Sequence, residues 1–87
     1  MKSRTISPFW KLYYRLPPDI QRRADRAYQL WQVNPFAKGL YFKRVDPNEP
    51  IYSVRIGLGH RALGLLDGDT IFWYWIGDHD EYNRLLK

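Results

Sequence analysis

Two arginines, Arg55 and Arg61, bracket the stretch Gly57-Leu58-Gly59 in the run IYSVRIGLGHR. The flanking residues have the apolar, β-branched character of two strands joined by a tight turn. If the turn is a three-residue loop, Ile56 faces His60 and Arg55 faces Arg61. Their Cβ atoms then lie roughly 5 Å apart on one face of the sheet. Like charges directly opposite are destabilising, so such a pair is suited to an anion held between the two groups. Guanidinium grips phosphate through two parallel hydrogen bonds and does not lose its proton. The reading depends on register, because a two-residue loop puts the arginines on opposite faces. Pairing of each arginine with a carboxylate such as Glu49 or Glu81 is the other arrangement open at this point.

His79 and Tyr82 follow an apolar stretch, three residues apart, where a helix is expected to begin. That spacing lets both reach one site. Imidazole exchanges protons near neutral pH, as acid–base catalysis requires. The helix N-terminus favours its neutral form, while Asp78, Asp80 and Glu81 favour the charged one. Tyr82 shares an apolar stripe with Leu85 and Leu86, so a role in the core is equally open to it. Further cations, Lys43, Arg44, Arg22, Arg23 and Arg26, are candidates for holding a nucleic-acid backbone without reading its sequence. His60 sits at a turn. No H-x-x-x-H or cysteine spacing is present, and no metal site is expected.

The elements that must position these groups can be read from periodicity. Ser7-Pro8 gives a hydroxyl N-cap followed by proline at a first helical position. Phe9, Leu12, Tyr13 and Leu16 then form one stripe, and Pro17-Pro18 stops that helix. Pro18-Asp19 opens a second helix with Ile20, Ala24, Ala27, Tyr28 and Trp31 inward, ended by Asn34-Pro35. Two helices so closely joined make an αα-hairpin. Strands are expected at 40–45, 51–56, 60–66 and 70–76, with a further one at 2–6 as an option. The joints Gly57-Leu58-Gly59 and Asp67-Gly68-Asp69 are short enough to force antiparallel neighbours. The last strand, TIFWYWI, is apolar at nearly every position, as suits a central strand covered on both faces or a face used for binding. Asp78 and Glu81 have the spacing of a capping box for a short final helix. The fold class is therefore α+β: an N-terminal helical hairpin packed on a four-stranded, mainly antiparallel sheet, with a short C-terminal helix.

With 87 residues, residues 1–87 are expected to form a single domain. A chain of this size buries only about 60–65% of its unfolded surface, and its 15 aromatic residues help to compensate. The net charge of +5 and pI near 9.7 suit contact with phosphate, an anionic membrane or an acidic protein. There is no cysteine and no apolar run long enough for a signal peptide or membrane span, so a cytosolic protein is expected.

The order of elements, the segment YSVRIGLGHRALG, the following strand and then WIGDHDEY together resemble the RelE/ParE superfamily of type II toxin–antitoxin toxins. The segment LPPDIQRRADRAYQLW, followed by Asn-Pro and LYFKRV, is similar to that superfamily's helical hairpin and first meander strand. The resemblance implies a small toxin held inactive by a cognate antitoxin protein. RelE-like members cut mRNA on the ribosome by driving a ribose 2′-hydroxyl onto the adjacent phosphate, with no cofactor or metal. ParE-like members inhibit DNA gyrase, and a degenerate member would serve only as antitoxin partner. The RelE-like branch is the one expected here. By position, Arg61 matches the arginine of the family's G-Y-R segment, here Gly59-His60-Arg61, and Arg55 a basic residue of the preceding strand. His79 and Tyr82 fall where the family places its remaining catalytic groups. One departure is plain: that C-terminal stretch is acidic here, through Asp78, Asp80 and Glu81, where nuclease members often carry basic residues.

Overall fold

The structure, a computed structural model, describes residues 1–86. Its elements run β1 (Lys2–Thr5), α1 (Phe9–Tyr13), α2 (Pro18–Val33), β2 (Lys43–Arg44), β3 (Ile51–Ile56), β4 (His60–Asp67), β5 (Thr70–Asp78) and α3 (His79–Leu85). The sheet order is β1-β5-β4-β3-β2. The α+β class holds, but the sheet has five strands and is mixed, not four antiparallel ones. Strand β1 pairs parallel with β5, matching Lys2 to Thr70 and Thr5 to Trp73.

The expected helical hairpin is not clearly formed. Helix α1 is only five residues long, and Pro8 is its N-cap, without the side-chain cap expected from Ser7. Each helix rests on the sheet, α1 against β5 and α2 against β3. The inward stripes hold in the main: Tyr13, Ala24 and Trp31 are buried, with Phe9, Leu12, Leu16 and Ala27 packed against them, but Tyr28, expected inward, is exposed and Ile20 is only partly buried. Pro17 adopts ψ 150°, the extended geometry imposed on a residue before proline, and Pro18 opens α2.

Strand β2 is also shorter than the expected 40–45, and the cause is local. Tyr41 has φ +47°, which an L-residue adopts at a cost of about 1–2 kcal/mol and which ends a regular ladder. Leu40 and Phe42 on either side are nonetheless buried. The arginine-bearing hairpin is the opposite case. Ile56 pairs with His60 and Arg55 with Arg61, so Gly57-Leu58-Gly59 is a three-residue loop, with Gly57 at φ +62° supplying the left-handed turn.

Two apolar clusters occupy the two faces of the sheet. Val54, Ile56, Ala62, Ile71, Trp73 and Ile76 pack beneath α1 and α2. Leu63 and Trp75 pack beneath α3 through Tyr82. Strand β5 is thus covered on both faces, as its apolar sequence requires. Alternating side chains reach both layers, and the β4–β5 register shift at Leu63/Gly64, a bulge, resets which of them face each layer. A Cβ on Gly64 would lie 2.7 Å from Ile71 Cγ1 and 2.8 Å from Trp73 Cε3. Gly64→Ala is therefore expected to cost about 1–3 kcal/mol through overpacking. The measurement is a lowered urea midpoint at unchanged slope.

Alkaline pH tests the first layer. The Tyr13 hydroxyl donates to Asp25 Oδ1 at 2.7 Å. Burial, followed by that bond and the carboxylate charge, pushes its pKa from 10.0 up to about 12. Between those pH values the unfolded chain has released this proton and the folded chain has kept it. Stability must then fall as pH rises from 10 to about 12, and below pH 10 this group contributes no pH dependence. Urea midpoints of Tyr13→Phe are expected to fall less over that interval than those of the parent. Parallel slopes would refute the assignment.

Candidate functional site

The face carrying Arg55 and Arg61 is the one opposite α1 and α2, because their neighbours Val54, Ile56 and Ala62 point into the helical layer. On this second face a cleft of about 240 Å³ is lined by Tyr41, Lys43, Ser53, Arg55, Arg61, His79 and Tyr82. All four residues expected to carry chemistry, Arg55, Arg61, His79 and Tyr82, are brought together there.

Register explains the convergence. Arg61 sits opposite Arg55 on β3 and opposite Gly77 on β5, two residues before His79. The His79 amide donates to Gly59 O at 2.9 Å, which ties the start of α3 to the arginine hairpin. Asp78 caps α3 by accepting from the Glu81 amide at 2.8 Å. Asp78, Asp80 and Glu81 are exposed around the helix N-terminus, where their charge is favourable, and none lines the cleft.

The arginines are not paired with carboxylates. Among the described residues the one ion pair is Lys2–Asp69, at 3.9 Å on the exposed surface. Pairing with Glu49 or Glu81 therefore does not occur. Each guanidinium instead spends one N–H on a backbone carbonyl: Arg55 Nε donates to Gly57 O at 2.9 Å, and Arg61 Nη1 to His60 O at 2.8 Å. Burial, and then the Arg55 charge, hold the Arg61 pKa below the usual guanidinium value. A guanidinium so placed stays charged at neutral pH and lacks a counter-ion.

Aromatic rings back both cations. Arg55 Cζ lies 5.1 Å from the Tyr41 ring centre, and Arg61 Cζ lies 5.9 Å from that of Tyr82. Tyr82 is buried and its hydroxyl lies 3.3 Å from Ser53 Oγ. It supports Arg61 from the core side and is not open to stack a base. The imidazole of His79 lies 5.7 Å from the Tyr82 ring, centre to centre. Its Nδ1 is 3.0 Å from the Asn83 side-chain amide. An amide can donate to a bare ring nitrogen or, turned over, accept from a protonated one. Asn83 thus orients the ring in either state. Tyr41, Ser53 and Asn83 are absent from the candidates read off the sequence, although the i, i+4 spacing from His79 to Asn83 was a usable signal.

The other candidate cations divide. Lys43 joins the cleft. Arg44 is tied to the 46–50 loop, donating from Nε to Asp46 O at 2.9 Å and to Glu49 O at 3.3 Å. Arg22 and Arg26 lie on exposed α2, which covers the far face. Arg23 reaches the hairpin tip, where its Nη1 would meet a Cβ on Gly57 at 3.3 Å. No three His, Asp or Glu side chains converge among the described residues. A second cavity, about 290 Å³ and largely apolar, lies between β1, α1, α2 and the first face. Three pairs of its polar groups engage one another, Tyr13–Asp25, Trp10–Thr5 and Ser3–Tyr28, while the buried Trp31 and Trp73 indole N–H groups have no partner. The smaller cleft gathers three cations, Lys43, Arg55 and Arg61, and no carboxylate, whereas Arg4 and Asp25 both line the larger cavity.

This sheet, with its short C-terminal helix and its paired arginines, defines a member of the RelE/ParE superfamily of toxins. The chain belongs to the ParE-like toxin domain family, which it matches over residues 18–84. No curated protein sequence matches it. Among solved structures it is similar to the RelB–RelE antitoxin–toxin complex from Methanococcus jannaschii, with TM-score 0.71 and 19% identity, covering 95% of this chain and 98% of that one. It is also similar to a YoeB/ParE toxin from Agrobacterium tumefaciens, with TM-score 0.70 and 18% identity over 91% and 99% of the two chains. The toxin–antitoxin complex RelBE2 from Mycobacterium tuberculosis gives TM-score 0.70 and 18% identity over 90% and 96%. At these identities the likeness is one of fold. No described helix is long and apolar enough to cross a membrane.

Proposed function

We infer that this toxin is an mRNA endonuclease acting on the ribosome without a metal ion, and that a protein antitoxin restrains it. The observation that carries the reading is the cleft itself: two opposed guanidinium groups without carboxylate partners, beside Lys43 and an oriented imidazole. In the reaction the ribose 2′-oxygen bonds to the adjacent phosphorus as the bond from phosphorus to the 5′-oxygen breaks. The products are a 2′,3′-cyclic phosphate and a 5′-hydroxyl. Arg55 and Arg61 neutralise charge that grows on the phosphoryl oxygens. His79 takes the proton from the 2′-hydroxyl, supplies one to the 5′-oxygen, or does both through water. Tyr82 holds Arg61, and Lys43, Arg23, Arg22 and Arg26 supply sequence-independent attraction to RNA. Arg44, tied to its loop, contributes charge alone.

The antitoxin reading rests on structural relatives solved as toxin–antitoxin complexes. It also rests on exposed apolar side chains: Trp10 and Tyr14 on and beside α1, and Leu30, Val33 and Phe36 at the end of α2. Trp73 and Trp75, equally apolar, are core residues and offer no surface.

The test adds purified protein to ribosomes translating a defined mRNA, beside a gyrase supercoiling assay. Cleavage with cyclic-phosphate ends, abolished by a 2′-deoxy nucleotide at the cut, is expected. Intact mRNA with loss of supercoiling would replace this reading by gyrase inhibition. No effect in either assay, and no growth arrest on expression, would leave a partner for an antitoxin only.

A further inference from the structure

We propose that Tyr41 is a stacking platform for an unpaired nucleobase next to the scissile phosphate. The proposal rests on the nuclease reading of the cleft. Tyr41 is the only non-glycine residue with positive φ among the described residues. The packing of its own side chain does not call for that geometry, since Tyr41 is 60% exposed while Leu40 and Phe42 on either side are buried. Strained backbone persists where its surroundings hold it, and it concentrates at functional sites. Here the anchored neighbours and the 2.7 Å bond from the Arg55 amide to Leu40 O supply the hold.

The result of the strain is a large aromatic ring in the wall of the basic cleft, with Arg55 packed near it. A cation sits over the ring face, so one face is engaged by Arg55 and the ring's exposure leaves the remainder open to solvent. Proteins that recognise single-stranded RNA stack splayed bases on aromatic rings beside phosphate-binding cations, as every base offers a π-face. The occupant is an unpaired base, without selection for its identity. Of the other two rings of the cleft, Tyr82 cannot take this role because it is buried, and His79 is assigned to proton transfer.

The experiment measures toxin affinity for ribosomes programmed with mRNA made uncleavable by a 2′-deoxy nucleotide at the cut. A second set of mRNAs carries one abasic nucleotide at successive positions around it. Variants are Tyr41→Phe, which keeps the ring, and Tyr41→Leu, which keeps apolar bulk without it. Urea midpoints near the parent's establish that both fold. Tyr41→Leu is expected to weaken binding about 5- to 150-fold, the range for losing one stacked base, and Tyr41→Phe to bind like the parent. The parent should show a similar loss with the abasic nucleotide at one position beside the cut, and Tyr41→Leu should show none there. Tyr41→Leu binding like the parent, or losing affinity equally for every abasic mRNA, overturns the platform while leaving the nuclease reading intact. Weakened antitoxin binding with unchanged RNA affinity assigns the ring to the antitoxin instead and overturns the proposal too. A parent that neither binds nor cuts mRNA overturns the nuclease reading as well.

Discussion

Arg61→Ala is expected to slow mRNA cleavage about 10²–10³-fold, the loss typical when one preorganised charge-stabilising donor is removed. Arg61 is the more enclosed of two opposed cations, held at fixed distance from Arg55 by β3–β4 pairing and from His79 by β4–β5 pairing. Its contribution rises as phosphoryl charge grows, so kcat should fall more than KM rises. Stability should move the other way. The alanine relieves a like-charge contact directly across the ladder, worth about 0.2–1 kcal/mol, and removes a partly desolvated charge. A variant both less active and slightly more resistant to urea is the signature of a site that sacrifices stability for charge. Cleavage within a few-fold of the parent would sink the assignment.

His79→Ala is expected to cost about 10²–10⁴-fold, the range for a positioned general acid or base. The informative measurement is the rate as a function of pH. The parent should show an inflection that the alanine variant lacks, because the imidazole is the one group in the cleft suited to proton exchange near neutrality. Asn83→Ala should lie between parent and His79→Ala, with the inflection retained, since Asn83 fixes ring orientation and transfers no proton. An unchanged pH profile in His79→Ala would move the proton transfer to substrate or ribosomal groups.

The parts of this molecule legible in its sequence are those fixed by short-range geometry. Gly57-Leu58-Gly59 sets a loop length, loop length sets register, and register places Arg55 opposite Arg61. The Asp78 cap and the buried stripe of α2 are local in the same way. Strand β1 was only an option, because its partner lies about 68 positions away and nothing in KSRT shows where it will dock. The two helices make no clear hairpin because α1 has barely more than one turn: it meets α2 through contacts such as Tyr13–Asp25 and rests mainly on β5. Tyr41 could not be foreseen: GLYFK carries no signal for a left-handed tyrosine, and the buried Leu40 and Phe42 that hold it are fixed only by tertiary packing. In the same way, spacing brought Tyr82 to the site but could not say that its ring would be enclosed.

The carbonyl anchors of the two arginines bear on which substitutions the hairpin can accept. A guanidinium has several N–H groups on separate nitrogens, so Arg55 can hold Gly57 O, and Arg61 can hold His60 O, while other nitrogens still face the cleft. Lysine carries its donors on a single nitrogen at the end of a flexible stem. At position 55 or 61 it would restore the charge but would have to choose between loop and ligand. Much of the rotamer entropy of these long side chains is spent when the chain folds, before any ligand arrives. Exchange of either arginine for lysine would shift that loss to the moment of encounter, giving a hairpin of equal charge but looser grip.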